Sequence, residues 1–303
     1  MAASLVVRGL VEEIGTYSKI EPRQLMSQWR IGDVTVTKIV EQEVTGGSRL
    51  LLPKATPEWL EPHLTDGNGC LRLSIHSFVV EAPTKRIIVD TCLGNDKQNR
   101  LVPYWNNRQG PFLADLAAAG FPPETIDAVI NTHLHADHVG WNTMLREGEW
   151  VPTFPQARYL MSSTEYQHWR DNTTHADTRH ALADSVMPIV EAGLADLVET
   201  EHRICDEVSL IPTVGHTPGH VSVRIVSQGE EALITGDFMH HPCQVAHPDY
   251  ELTSDSDPAR GIRTRWEMFE RLADRPVLVL ITHFADATAG HIIRDGGRYR
   301  FAV

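Results

Sequence analysis

The sequence predicts one layered α/β domain. Three observations carry that reading. Apolar runs of strand length alternate with helix-length segments, no Pro/Gly/Ser-rich linker divides them, and 42% apolar with 22% charged residues is ordinary globular composition. A chain of 303 residues can bury a substantial core. Residues 1–30 show no strong period and are expected to form an arm or extension, with residues 31–303 as the main body.

The elements follow in order. Val34 to Val40 and Leu71 to Val80 read as extended runs, and Arg86 to Asp90 as a compact buried strand ending in an acid. Thr91 to Asp96 is the loop after it. Gly110-Pro111-Phe112 opens a helix that passes through Leu113, Leu116 and Ala119 and stops at Gly120. Ile126 to Ile130 is a short strand leading directly into His133. Arg158 to Met161 is extended, and Ser162-Ser163-Thr164-Glu165 suits the start of a helix. After a polar stretch a helix resumes around His180 to Ala192. Val208 to Val214, Val221 to Val226 and Ala232 to Thr235 read as strands. A polar stretch from His240 to Asp257 leads to a helix at Ala259 to Leu272, then to a strand at Val277 to Ile281. Asp295-Gly296-Gly297 turns a closing hairpin.

The totals narrow the function classes. With 27 Lys+Arg against 40 Asp+Glu the formal net charge is -13, which repels phosphate backbones and anionic lipid. Nucleic acid and membrane are therefore not expected as partners. Cys70, Cys92, Cys205 and Cys243 are scattered and form no C-x-x-C, so reduced thiols are expected. Arg8, Glu12 and Glu13 interrupt the apolar amino-terminal stretch, which does not read as a signal peptide; the cytoplasm is the expected location.

The 16 histidines are the unusual total, and their placement carries the chemistry. In His133-Leu134-His135-Ala136-Asp137-His138, residues i and i+2 of an extended segment point the same way, so His133 and His135 can grip one ion. Asp137 and His138, one turn onward, can face a second. Imidazole nitrogen and carboxylate oxygen both suit zinc. From composition alone, three histidines at fixed positions arise in roughly one window in 7,000. Further ligands are then expected at later strand ends, where a rigid scaffold presents side chains from loops. Gly215-His216-Thr217-Pro218-Gly219-His220 lies between two strands, Thr235-Gly236-Asp237 ends another, and Ile281-Thr282-His283 a third.

These motifs, in this order, resemble the metallo-β-lactamase superfamily: H-x-H-x-D-H, then G-H-T-P-G-H, T-G-D and a final strand-end histidine, over roughly residues 30–303. The resemblance implies a four-layer αβ/βα sandwich with metals at one edge, so that residues 31–303 form the catalytic domain. By carry-over it assigns His133, His135 and His220 to one metal, Asp137, His138 and His283 to a second, and Asp237 to both. His216 is expected to support the turn. It further implies two divalent ions, zinc first and manganese, iron or cobalt as alternatives, with a bridging hydroxide as nucleophile and Asp137 orienting it. Asp90 is expected to orient a ligand histidine. Cys92 stands where the family often has glycine.

Ala136 occupies the position where di-iron redox relatives carry a glutamate ligand, which argues against that class. Thr282-His283-Phe284 with Thr288-Ala289-Gly290 is similar to the lactonase and methyl parathion hydrolase neighbourhood. A small-molecule lactone, ester or organophosphate triester is the expected substrate. N-acyl homoserine lactonases place a tyrosine three residues after the bridging aspartate; this chain has His240, a residue able to donate a proton or hydrogen bond. His240 and His241 are expected at the pocket mouth. The alternatives are a mono-iron sulfur-dioxygenase-like oxidoreductase, a hydrolase of thioesters, β-lactams or other xenobiotics, and a non-catalytic scaffold. Homodimerisation is a further expectation from the resemblance.

Overall fold

Alternation along the strands decides the layers. The computed structural model describes residues 26–45, 51–55, 71–172, 176–285 and 287–303. The first sheet is built from β1 (Met26–Ile31), β2 (Val34–Thr45), β3 (Arg72–Ala82), β4 (Lys85–Val89), β5 (Ala128–Ile130), β8 (Arg158–Ser162) and β9 (Ala195–Val198), hydrogen-bonded in that order. Between them, β6 (Thr143–Arg146) and β7 (Glu149–Pro152) form a separate hairpin. The second sheet follows the chain: β10 (His202–Arg203), β11 (Val208–Pro212), β12 (Val221–Ser227), β13 (Glu230–Ile234), β14 (Val277–Leu280), β15 (Ala289–Asp295) and β16 (Arg298–Ala302). Among the described residues, parallel pairing is confined to β4–β5, β5–β8, β8–β9 and β13–β14. Those strands lie in the sheet interiors or beside them, where buried faces favour parallel pairs.

Every second residue of the inner strands points between the sheets. Ile87, Val89, Ala128 and Ile130 meet Val221, Val223, Ile225 and Ile234 in one cluster. The intervening residues face outward, to helices. Ile88, Val129 and Tyr159 pack with Phe112 and Leu116 of α1 (Phe112–Ala118) and with Trp169 of α3 (Ser163–Asp171), whereas α2 (Ala136–Val139) is a single turn. Leu233, Val279 and Ile281 pack under Met268 and Phe269 of α7 (Pro258–Leu272), the last helix after α4 (Ala176–Ala181), α5 (Met187–Glu191) and α6 (Cys243–Ala246). Helix, sheet, sheet, helix: the chain has the metallo-β-lactamase fold, an αβ/βα sandwich. No helix among the described residues is long and apolar enough to cross a membrane.

Most expected elements are present within a few residues of their expected ends. The Ser162 hydroxyl caps α3 by accepting from the Glu165 amide, and Gly120, at φ +96°, ends the segment after α1. The expected boundary at residue 30 falls inside β1, which pairs with β2 from Met26↔Ile39 to Ile31↔Val34; residues 1–25 lie outside the described residues. The β6–β7 hairpin and β9 were not anticipated, since their residues are short, mostly half-exposed runs without a long apolar period. The segment from His240 to Asp257, expected to be a polar loop, turns inward and contains α6; His240, His241, Gln244 and Asp255 are all buried.

Candidate metal centre

Strand ends converge at one edge of the sandwich. β5 delivers the run from His133 to His138, and the loop after β4 is laced against it. The Thr91 amide donates to His138 O (2.7 Å), Gly140 N to Cys92 O (2.8 Å) and Trp141 N to Thr91 O (2.8 Å). The fit is close enough that a Cβ on Gly140 would lie 1.9 Å from Leu93 O. Asp90 and Cys92 take the left-handed conformation, at φ 54° and 51°; at Cys92 the turn thus keeps the backbone shape a glycine would adopt freely.

Three imidazole nitrogens aim at a common point on one side. His135 Nδ1 lies 3.0 Å from His133 Nε2 and 3.0 Å from His216 Nε2. Burial holds all three rings well below the usual histidine range. Neutral rings crowding lone pairs together need a cation or proton between them. An ion bound at ~2.0–2.1 Å by tetrahedral geometry would set such nitrogens only slightly further apart, at about 3.3 Å.

Beside them lies a second group made of Asp137, His138 and His283. Asp237 Oδ2 sits between the groups. It is 3.2 Å from both His138 Nε2 and His283 Nε2, and 3.7 and 3.6 Å from His133 Nε2 and His216 Nε2. Burial would lower His138, but the carboxylates of Asp237, Asp137 and Asp90 outweigh it and raise the ring well above its ordinary range. Burial would likewise raise Asp237; the surrounding imidazoles of His138, His283, His240 and His133 hold it well below. His138 Nε2 and Asp237 Oδ1 are buried with no hydrogen-bond partner. Orphaned polar atoms in a converging N/O donor set fit a pair of divalent ions.

The far nitrogens of four of the converging rings are held. His138 Nδ1 donates to Asp90 Oδ2 (2.9 Å), which also receives the Thr132 hydroxyl (2.8 Å). His133 Nδ1 meets that hydroxyl oxygen at 3.1 Å, His283 Nδ1 meets Ser74 O at 3.0 Å, and His216 Nδ1 meets Asp255 Oδ1 at 3.0 Å. Asp255 is in turn paired with Arg265, a fully buried guanidinium that also donates to the carbonyls of Pro248, Phe238 and Tyr250. Asp90 therefore supports a converging histidine, as expected. Asp255 and Arg265 gave no signal in the sequence, because their partner His216 is distant in the chain.

One grouping differs from the expected one. His216, not His220, joins His133 and His135. His220 still belongs to the β11–β12 ladder, since the Thr213 amide donates to its carbonyl (3.0 Å). Its ring is fully used. The Asp237 amide donates to Nε2 (2.8 Å), so Nδ1 carries the proton and donates to Thr213 Oγ1 (2.9 Å). The Thr213 hydroxyl passes on to Ser222 Oγ (2.9 Å), and Ser222 to Thr235 O (2.7 Å). His216 instead stands at the tip of the turn, where Gly215 rests on α7 so closely that a Cβ would come 2.4 Å from Gly261 N. That His220 abuts a strand while His216 is followed by Thr-Pro-Gly was the available sequence signal. The tip of the turn, rather than the strand end, is what reaches His133 and His135.

His240 Nε2 lies 3.0 Å from Asp237 Oδ2, and its ring stacks on His283 at 5.0 Å. His241 is buried and its Nδ1 accepts from the Cys243 amide, and Trp141, Phe238 and Phe284 are core residues.

Comparison with known proteins identifies the fold and the family. The chain is 23% identical over 177 residues to an N-acyl homoserine lactonase of Bacillus cereus, a match covering 54% of this chain and 63% of that protein. It is 25% identical over 158 residues to the probable metallo-hydrolase YflN of Bacillus subtilis (strain 168), covering 43% and 58%. The chain thus spans less than two thirds of the length of these curated relatives. Among solved structures, hydrolase AbOPH of the beta lactamase superfamily superposes with a TM-score of 0.78 at 23% identity, covering 94% of this chain and 98% of that one. AidC, a dizinc quorum-quenching lactonase, gives 0.77 at 17% identity, covering 91% and 96%. The profile of the Metallo-beta-lactamase superfamily matches residues 71–283, from the start of β3 to the last histidine of the site. With the sandwich, the edge site and that match together, the chain belongs to the metallo-β-lactamase superfamily.

Proposed function

We propose that this protein is a binuclear metal-dependent hydrolase of small lactones, esters or organophosphate triesters. His133, His135 and His216 would hold one ion, Asp137, His138 and His283 the second, and Asp237 would touch both. The carrying observation is the position of Asp237 Oδ2, 3.2 to 3.7 Å from four imidazole nitrogens belonging to two neighbouring groups. The nitrogen-rich donor set favours zinc. Relatives named N-acyl homoserine lactonases and a structural neighbour named a dizinc lactonase support the lactone reading.

When bound, the ions would supply a water acidified to a pKa of about 7 and polarise the substrate oxygen. The chain's own groups do the rest. Asp137, whose side chain keeps 16% exposure beside His283 (3.8 Å), would orient the attacking water and accept its proton. His240, against Asp237 and His283, would donate a hydrogen bond or proton to the oxygen that gains charge. Asp90 and Asp255 hold His138 and His216 in the tautomer that leaves Nε2 free for an ion.

The test is a hydrolysis screen of zinc- and manganese-loaded protein over lactones, aryl esters, phosphotriesters, thioesters and β-lactams, with metal-stripped protein as control, alongside metal analysis of protein from unsupplemented cells. Two ions per chain and metal-dependent turnover of a lactone, ester or triester are expected. A single iron and no hydrolysis would defeat the reading in favour of an oxidoreductase.

A further inference from the structure

The two ligand-bearing loops come from opposite halves of the sandwich, and their registry has to be set by something. Leu134 lies in the run after β5; Gly219 lies in the turn before β12. Both of their amides donate to the same side chain. Glu165 Oε1 accepts from Leu134 N (3.2 Å) and from Trp169 Nε1 (2.6 Å), while Oε2 accepts from Gly219 N (2.9 Å). Glu165 is 1% exposed, so these donors replace water for a carboxylate taken out of solvent. The approach is as close as backbone allows: a Cβ on Gly219 would lie 2.3 Å from Glu165 N. Glu165 itself stands in the first turn of α3, whose start the Ser162 hydroxyl caps. A backbone bond from Val221 N to Thr132 O (3.0 Å) closes the same seam on the strand side.

We infer that Glu165 is a positioning residue, a buried carboxylate clamp that registers the His133/His135 loop against the His216 turn and so sets the geometry of the first ion's ligands. The inference rests on the metal reading above. Leu134 is flanked by His133 and His135, and Gly219 lies three residues after His216, so a shift at either amide moves a nitrogen of that group. His138 and His283 have their own supports in Asp90 and Ser74, and the described hydrogen bonds join neither them nor Asp137 to Glu165. The clamp therefore acts on one ion rather than on both.

The test compares wild type with Glu165→Gln, reading zinc and cobalt stoichiometry and stepwise affinity by chelator competition, cobalt absorption spectra, and amide exchange at Leu134 and Gly219 by NMR. Glutamine must turn an NH2 group toward one of the donors. Exchange at both amides should accelerate, and one of the two ions should bind about 10–100-fold more weakly while the other is unchanged. Affinities and exchange rates equal to wild type would overturn the inference, as would an equal weakening of both ions together with a lowered unfolding midpoint. If wild type binds no ion, the metal reading falls and exchange at the two amides alone decides the clamp. Should Glu165→Gln fail to fold, through-hydrogen-bond NMR couplings from Leu134 N and Gly219 N to the Glu165 carboxyl carbon can be sought in wild type; their absence would overturn it.

Discussion

The two halves of the molecule contribute to the candidate site by different routes. The first half supplies four side chains from one run of six residues, His133 to His138, wound into an extended step and a single helical turn. The second half supplies His216 from the tip of a turn and Asp237 and His283 from two separate strand ends. A run carries its own geometry, because neighbours in sequence are neighbours in space whatever the rest of the chain does. Scattered residues acquire geometry only from topology. Residues of both kinds are held from behind: Asp90 backs His138 in the run, while Asp255 with Arg265 backs His216, His220 backs Asp237 and Ser74 backs His283.

The sharpest way to break the comparison is to exchange the roles within the second half's first turn. His216→Ala should lose one ion equivalent and reduce turnover by about 10³-fold or more, whereas His220→Ala should keep both ions at affinities weakened about 10–100-fold. Metal stoichiometry after dialysis separates the two; one ion lost in His220→Ala with two retained in His216→Ala would reverse the assignment. Next in size is His240→Ala, expected to keep both ions and lower kcat by about 10²–10⁴-fold, as removal of a proton or hydrogen-bond donor does. An unchanged kcat on every substrate turned over would assign His240 to the wall of the site.

Supports can then be compared across halves. Asp90→Asn and Asp255→Asn should each weaken one ion by about 10–100-fold, the first on the His138 side and the second on the His216 side. Chelator competition of the double variant checks this, since losses at separate ions should add. The smallest effect concerns the loop behind the run. Lys97 is fully buried, its Nζ 2.7 Å from Thr143 Oγ1 and 3.6 Å above the Trp150 ring, and burial brings its pKa down to about 7 against the pull of Asp184. The unfolded chain therefore holds a proton that the folded one gives up between about pH 7 and the ordinary lysine range near 10.4. Wild type should gain stability over Lys97→Met by up to about 1.4 kcal/mol per unit as pH rises from 7 to 9, measured by urea melts. A constant difference would mean that Lys97 stays charged.

Legibility in the sequence follows the same division. The sandwich was readable because Ile87 to Val89, Val129, Val221 to Ile225 and Val277 to Val279 form strand-length apolar runs between turn residues, a local signal. β9 and the β6–β7 hairpin lack one, their residues being mixed and half-exposed. Asp137, His138, Asp237 and His283, whose donor atoms the structure groups, stand out by motif and strand end alone. The choice between His216 and His220 was not local: it depends on whether the β11–β12 ladder extends one residue past Val221, which the bond from Thr213 to His220 decides. Glu165 reads only as part of a helix start and Arg265 carries no signal, since burial of a charge among backbone donors or acceptors arises from tertiary structure.

The position of Asp237 between two groups has a consequence for folding as well. An ion shared by His133 and His216 would close a loop of about 80 residues, and one shared by His138 and His283 a loop of about 145, each removing unfolded-chain entropy that grows only with the logarithm of its length. Because Asp237 would belong to both loops, the two rings interlock. The ions would then act as chain cross-links in the manner of a pair of disulfides, in a protein whose four cysteines are scattered along the sequence. Chelation should accordingly lower the unfolding midpoint of both sheets together, as one transition, and not merely silence the edge where the histidines meet.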